Sequence, residues 1–111
     1  EDDIYRVKVK DVLSQSNKVR NLGFSFGPCC DAHDECYGIC LKSQYACDNE
    51  FGNCLYRACD PCRADPLCDA TLCLRLAYLY YFAVAQNGEP HWKEGQVAGC
   101  ACCGILPSQS Q

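Results

Sequence analysis

The chain has 111 residues, 13 cysteines and a formal net charge of −4 at pH 7. Cysteine at this density in so short a chain is typical of a disulfide-stapled domain, which persists in an oxidising compartment and so favours a secreted protein. Lysine and arginine are scattered singly, and the longest apolar stretch, residues 72–85, contains Arg75. The sequence therefore lacks the clustered basic face that nucleic acid needs and any segment long enough to span a bilayer.

The first predicted elements are an N-terminal segment and a pair of helices. Residues 1–28 are polar and mixed, and they end in a loop that contains two glycines. Pro28 suits the first turn of a helix, because the amide hydrogen that proline lacks has no helical partner there, and we expect this helix to run to about Lys42. A second helix is predicted over residues 45–58. Together, residues 29–58 are expected to form an antiparallel helix pair.

A third helix is predicted over residues 65–87, after a break at residues 59–64. Asp65 is a typical N-cap residue, and it is followed by a proline suited to the first turn. Gly88 is expected to end this helix in the left-handed conformation. The pair Cys59 and Cys62 has C-x-x-C spacing, but no second well-spaced pair accompanies it, which favours disulfides over a zinc or redox site.

The tail, residues 89–111, is expected to be irregular and held by the cysteines at positions 100, 102 and 103. His91 and Trp92 then lie either in a plain loop or at a membrane-contacting tip, since tryptophan favours membrane interfaces. The whole pattern predicts one small, mainly α-helical, disulfide-rich domain over residues 1–111, in which two antiparallel helices are clamped by disulfides and a third, apolar helix packs on them. The start at Glu1 and the absence of methionine predict a mature form whose signal peptide has been removed.

The cysteine spacing constrains the helix pair. Cys29 and Cys36 are seven residues apart, as are Cys47 and Cys54, so each pair lies about two turns apart on one helix face. If the helices are antiparallel, one register brings Cys36 to Cys47 and Cys29 to Cys54. Cysteine counts alone allow many other connectivities, so this pairing depends on the helix assignment.

His33 lies on the same face as these cysteines, and two carboxylates accompany it. Asp34 follows His33 in the chain, and Asp48 follows Cys47 on the opposing helix. A histidine whose ring is oriented by one carboxylate can act as a general base toward water. The other carboxylate can bind a hard cation such as calcium. Spacing alone leaves open the alternative of a partly buried histidine surrounded by surface acids.

Two strings in the helix pair resemble those of a known family. Residues 29–37, CCDAHDECY, resemble the active-site helix C-C-x-x-H-D-x-C of secreted phospholipases A2. Residues 47–55, CDNEFGNCL, resemble the helix C-D-x-x-F-x-x-C-L of the bee-venom-like and group XII-like branches. The resemblance implies a phospholipase A2-like fold, the same two disulfides, and calcium-dependent hydrolysis of the sn-2 ester of glycerophospholipids at a membrane surface.

The resemblance also implies a role for each matching residue. His33 is expected to be the base that takes a proton from the attacking water, and Asp48 is expected to orient its ring. Tyr37 is expected to hydrogen-bond Asp48, with a role as a packed aromatic equally open. Asp34 is expected to supply oxygens to Ca²⁺. Part of the apolar third helix is expected to pack on the helix pair, and the remainder either lines an acyl-chain channel, forms an interfacial face or packs in the core.

The sequence departs from the family in its calcium loop. Family members supply the remaining calcium ligands from an upstream loop of the form Y-G-C-x-C-G-x-G, and no such string is present, nor does any cysteine precede Cys29. An alternative is therefore a catalytically weak or inactive member, acting as a toxin subunit or lipid-binding protein. A third hypothesis is a structural disulfide-rich module that matches the motif by accident.

The odd number of cysteines carries a separate expectation. At least one sulfur must be free, bound to something else or joined to another chain. We expect Cys30 to reach the C-terminal cysteine cluster, and the cysteine left over to be available for a disulfide-linked partner chain or homodimer.

Overall fold

The structure is a computed structural model, and it describes residues 23–101. These residues form five α-helices and no strand, and the helices are α1 (Gly27–Tyr37), α2 (Gln44–Ala58), α3 (Asp60–Ala64), α4 (Ala70–Asn87) and α5 (Glu89–Ala101). The mainly helical, disulfide-rich fold class predicted from the sequence is confirmed. None of the described helices is long and apolar enough to cross a membrane.

The helix pair is antiparallel, because its disulfides join opposite ends. Cys29 pairs with Cys54 and Cys36 with Cys47, each with a Cα–Cα distance of 5.6 Å. These are the pairs that the antiparallel register predicts. The N-terminus of α2 is capped by Ser43, whose hydroxyl accepts a hydrogen bond of 3.1 Å from the amide of Ala46.

Helix α1 ends at Tyr37, short of the predicted end at Lys42, because other groups replace its helical hydrogen bonds. The buried side chain of Gln96 donates to the carbonyls of Tyr37 (2.9 Å) and Ile39 (2.8 Å). Its Oε1 accepts from the amide of Leu41 at 2.7 Å, where the backbone has a φ of 70°. The turn after α1 is therefore fixed by a residue of α5.

The helix predicted over residues 65–87 begins later than expected. Asp69, not Asp65, is its N-cap, and it accepts from the amide of Leu72 at 3.0 Å. Asp65 instead accepts from the amide of Leu67 in a turn, at 2.9 Å. The predicted break at residues 59–64 contains the short helix α3. An Asp-Pro pair suits both the start of a helix and a turn. Asp69, four residues later, is also a suitable N-cap, so the local sequence does not choose between the two positions.

The prediction of an irregular tail is wrong over Glu89–Ala101, which is helical. Gly88 also differs from the prediction: its φ of −80° and ψ of −13° are right-handed, so the chain passes from α4 into α5 without a left-handed cap. The physical reason is a buried stripe at four-residue spacing, formed by Trp92, Gln96 and Cys100. This stripe packs α5 against the end of α1, and residues 102–111 of the tail lie outside the described residues.

Five disulfides join the described cysteines. Besides those of the helix pair, they are Cys40–Cys100, Cys59–Cys73 and Cys62–Cys68. Both cysteines of the C-x-x-C pair are thus in disulfides. Cys30 is a free thiol among the described cysteines, which corrects the expectation that it reaches the C-terminal cluster. Cys100 of that cluster bonds Cys40 instead, and Cys102 and Cys103 lie outside the described residues.

The main core lies where α1, α2 and α4 meet, around the fully buried side chains of Leu55, Cys59 and Cys73. A second, smaller cluster joins the other end of the helix pair to α5, and it consists of Cys36, Tyr37, Cys47 and Trp92. Tyr37 of this cluster is one of the residues predicted to carry the chemistry, and His33 and Asp48 contact it.

Candidate active site

His33 and Asp48 face each other across the helix pair. The Nε2 atom of His33 lies 2.8 Å from Oδ1 of Asp48, and the two residues are 7% and 5% exposed. The spacing of the two helix faces explains the contact, because His33 lies between Cys29 and Cys36 while Asp48 adjoins Cys47. The two disulfides therefore fix the distance between the helices at the place where the imidazole meets the carboxylate.

Asp48 collects two further hydrogen bonds. The hydroxyl of Tyr37 donates to Oδ1 at 2.5 Å, and the side-chain amide of Gln44 donates to Oδ2 at 3.2 Å. The structure thus brings Tyr37 to Asp48, as the resemblance implies. Gln44 was missed in the sequence, although its position four residues before Asp48 places it one helical turn away on the same face.

The surroundings of Tyr37 favour its neutral form. Burial raises the pKa of the Tyr37 phenol well above its ordinary value, and the hydrogen bond to the carboxylate of Asp48 raises this pKa further. The phenol therefore keeps its proton at neutral pH and remains a hydrogen-bond donor to Asp48. Because it donates to the same oxygen as His33, it holds the carboxylate in one orientation.

The imidazole of His33 is held in place by aromatic rings and by its hydrogen bond. The ring centroids of Tyr37 and Phe51 lie 4.0 Å and 4.6 Å from that of His33. A carboxylate only accepts hydrogen bonds, so the neutral imidazole tautomer that fits this contact has its proton on Nε2 and a lone pair on Nδ1. Within residues 23–101, Nδ1 has no hydrogen-bond partner.

A pocket of about 350 Å³ opens beside His33. It is lined from three helices, and its lining residues are His33, Asp34, Tyr37, Ala83, Val84, Asn87, Gly88 and His91. Its apolar lining is Ala83 and Val84, which lie near the C-terminal end of the hydrophobic helix α4. The pocket therefore joins a polar end, at His33 and Asp34, to an apolar wall.

Asp34 is exposed on α1 and lines the same pocket as His33. Its carboxylate has no ion pair within residues 23–101, and hard oxygen donors of this kind suit calcium. A carboxylate gives at most two of the six to eight oxygens that Ca²⁺ takes. The described residues contain no group of three or more ligating side chains. Residues 1–22, which precede α1 as the family's calcium loop does, lie outside the described part of the chain.

Helix α5 packs closely on the end of α1 because it carries glycines where the two backbones meet. A Cβ atom at Gly95 would collide with the carbonyl of Tyr37, and one at Gly99 with the carbonyl of Gly38. At the start of α5, a Cβ atom at Gly88 would collide with the Tyr37 hydroxyl. The spacing Gly95-x-x-x-Gly99 was the sequence signal for this close approach.

Trp92 is buried, which excludes it from the membrane-contacting tip considered above. It is 3% exposed, and its indole Nε1–H donates to the carbonyl of Lys42 at 2.9 Å. Trp92 thus holds the turn after α1 from the same side as Gln96. Its neighbour His91 is exposed and lines the pocket.

Known proteins that match this chain belong to one family. The chain is similar to the group XIIA secretory phospholipases A2 of Homo sapiens and Mus musculus, with 34% identity to each over 85 residues. The match covers 74% of this chain. The chain belongs to the secreted phospholipase A2 superfamily.

The chain matches 45% of the human and 44% of the mouse phospholipase A2, less than half the length of either relative. No family model matches the chain, and no solved structure matches it. The family resemblance read from residues 29–37 and 47–55 is thus confirmed at the level of the secreted phospholipase A2 superfamily.

Proposed function

We propose that this phospholipase A2 homologue is a secreted, calcium-dependent enzyme that hydrolyses the sn-2 ester of glycerophospholipids at a membrane surface. The observation that supports the proposal best is the buried hydrogen bond between His33 and Asp48 beside a pocket that Asp34 also lines. A general base, an orienting carboxylate and an exposed oxygen donor thus adjoin one partly apolar pocket.

In the proposed mechanism, Nδ1 of His33 takes a proton from a water molecule as the water attacks the ester carbonyl, and the imidazolium then returns this proton to the sn-2 alcohol oxygen as its ester bond breaks. Asp48 holds the ring through Nε2 and stabilises the imidazolium that forms. Tyr37 and Gln44 are positioning residues, since both act through the carboxylate of Asp48. Asp34 would hold Ca²⁺, and a bound calcium ion would polarise the ester carbonyl.

The experiment is an assay of fatty-acid release from mixed-chain phosphatidylcholine, with calcium or with chelator. We expect sn-2 fatty acid from the wild-type protein and its loss with chelator or in His33→Gln, which keeps the size and polarity of the side chain but cannot act as a base. A His33→Gln protein with full activity, or an activity lost in His91→Gln instead, would show that the assignment of the base is wrong.

Calcium binding needs its own pair of variants. Asp34→Asn is expected to weaken calcium binding by about tenfold or more, since it removes the one charged ligand proposed here. Asp31→Asn is the matched control, because Asp31 is also an exposed aspartate of α1 but does not line the pocket. Equal calcium affinity in the two variants, measured by calorimetric titration, would remove Asp34 as a ligand.

A second candidate function is a catalytically weak lipid-binding member of the same superfamily. It is favoured by one observation, the absence of the family's Y-G-C-x-C-G-x-G string from the sequence. Phospholipid binding without release of fatty acid, in both the presence and absence of calcium, would support this alternative.

A further inference from the structure

A groove lies between α2 and α4. One section of it has a volume of about 430 Å³ and is walled by three tyrosines, two asparagines and small or apolar residues. None of its lining residues lines the pocket beside His33. The residues that line this section, here named the tyrosine groove, are Asn49, Gly52, Asn53, Tyr56, Leu74, Ala77, Tyr78 and Tyr81.

The groove exists because α2 carries a glycine where α4 brings a large ring. A Cβ atom at Gly52 would lie 2.8 Å from Cδ1 of Tyr81, so that ring packs on the bare backbone of α2 and forms part of the wall. Tyr56 and Tyr78 remain 55% and 61% exposed, although each presents a large apolar ring. Tyr78 is also braced by Phe82, at 5.9 Å between ring centroids.

Arginines flank this apolar surface in a protein whose net charge is negative. The guanidinium carbon of Arg63 lies 5.3 Å from the ring centroid of Tyr56. Arg75 lines a more open depression that continues the groove through the shared residues Leu74 and Tyr78. Arg63 has an exposed ion pair with Asp60, at 3.3 Å, whereas Arg75 has no ion pair within residues 23–101.

We propose that the tyrosine groove binds one long-chain fatty acid anion, with its alkyl chain against the tyrosines and its carboxylate beside Arg63 or Arg75. No carboxylate side chain lines the tyrosine groove or the adjoining depression, and the guanidinium of Arg75, which has no ion pair within residues 23–101, complements an anion there. The planar guanidinium matches a carboxylate in geometry. The volume of the tyrosine groove, about 430 Å³, falls within the range of about 300–1,000 Å³ for small-molecule pockets, so it can hold an alkyl chain.

The experiment titrates isotope-labelled protein with laurate below its micelle concentration and follows backbone amide shifts. We expect shifts in residues 49–56 and 71–81, with much weaker effects from acetate, which lacks the chain, and from dodecanol, which lacks the charge. Shifts confined to the residues around His33 would overturn the proposal, as would equal binding of laurate and dodecanol.

Variants separate the charge from the apolar wall. Arg75→Gln is expected to weaken laurate binding about threefold, because exposed charge pairs are individually weak, and the double variant with Arg63→Gln about tenfold. Tyr78→Ser is expected to cost about tenfold through lost apolar contact, and its high exposure makes it a mild change for the fold. Circular dichroism checks that each variant is folded.

Lys93→Gln is the matched control, because Lys93 is an exposed cation on α5 that pairs with Glu89 at 3.0 Å and lines neither section of the groove. It should bind laurate like the wild type. Laurate affinity that is equal in the wild-type, Arg75→Gln and Tyr78→Ser proteins would overturn the proposal. So would binding to anionic vesicles that needs these residues without any binding of monomeric laurate, since the groove would then be a membrane contact.

Discussion

At the scale of single residues, the candidate site depends on one buried carboxylate with several donors. Asp48 accepts hydrogen bonds from His33, Tyr37 and Gln44. His33 and Tyr37 are one turn apart on α1, and Gln44 lies one turn before Asp48 on α2. A buried carboxylate is costly unless it is hydrogen-bonded, so these donors stabilise the charge that the imidazole needs. Each donor therefore contributes to both the stability and the orientation of His33.

Tyr37→Phe tests this role, because it removes the hydroxyl and leaves the ring in place. We expect a loss of about 1 kcal/mol in the free energy of unfolding, from the lost hydrogen bond. If the enzyme proposal holds, kcat should fall severalfold with little change in KM, since Asp48 keeps two donors. Tyr45→Phe is the control, because Tyr45 is 77% exposed and outside the site.

The same variant carries a pH dependence. The pKa of Tyr37 is raised above its ordinary value, first by burial and then by the hydrogen bond to Asp48. The stabilisation from its neutral phenol is fully present below the unfolded-state pKa of about 10 and is lost as pH rises through the folded-state pKa. The stability advantage of the wild type over Tyr37→Phe should therefore shrink above about pH 10, as measured by urea unfolding. An advantage that is constant or grows at high pH would contradict this.

At the scale of elements, the helix pair was predictable and α5 was not. Cys29, Cys36, Cys47 and Cys54 define two faces at helical spacing, and the antiparallel register then places His33 opposite Asp48. These are local patterns read within 30 residues of chain. The same local reading also gave the bounds of α2 to within one residue.

The structure of α5 could not be read locally, because its stabilising contacts are distant in the sequence. Gln96 bonds the turn after Tyr37 from 55 to 59 residues away. Glycines, a proline and polar residues in the tail favoured an irregular segment by intrinsic propensity. Tertiary packing overrides that propensity, because Gly95 and Gly99 allow the backbones of α5 and α1 to touch.

Gly88→Ala tests how α5 controls the candidate site. A methyl group at this position would collide with the Tyr37 hydroxyl and with the carbonyl of Val84, although a φ of −80° is ordinary for alanine. We expect a loss of about 1–3 kcal/mol in stability from overpacking and, if the enzyme proposal holds, a reduced kcat from displacement of Tyr37. Thermal unfolding and the phosphatidylcholine assay measure the two effects.

Gly27→Ala is the matched control for that variant. A Cβ atom there would lie 3.5 Å from the hydroxyl oxygen of Ser25, an ordinary contact at the start of α1. This variant should match the wild type in both measurements. If Gly88→Ala were as stable and active as Gly27→Ala, the close fit between Gly88 and Tyr37 would have no role.

At the scale of the whole molecule, the disulfides outside the helix pair stabilise two separate regions. Cys59–Cys73 and Cys62–Cys68 hold α2, α3 and α4 together on the side of the main core. Cys40–Cys100 spans 60 residues and ties α5 to the turn after α1. Chain-entropy theory gives such a long loop about 4 kcal/mol, against about 3 kcal/mol for the 11-residue separation of Cys36–Cys47.

Removing Cys40–Cys100 should therefore loosen α5 and, through it, the candidate site. In Cys40→Ser/Cys100→Ser, we expect Trp92 to lose part of its burial, because its indole lies between α5 and Lys42. Trp92 is the single tryptophan, so a red shift of its fluorescence reports α5 alone. If the enzyme proposal holds, fatty-acid release should fall in parallel, since Gly88 and Gln96 no longer hold Tyr37.

The matched control is Cys62→Ser/Cys68→Ser, which removes a disulfide of sequence separation 6 that joins α3 to the turn before α4. We expect it to lower the unfolding temperature while the fluorescence of Trp92 in the folded protein stays unchanged. A red shift of equal size in both double variants would mean that loosening spreads through the entire molecule. An unchanged spectrum in Cys40→Ser/Cys100→Ser would mean that Gln96, Trp92 and the close glycine contacts hold α5 on α1 without the covalent bond.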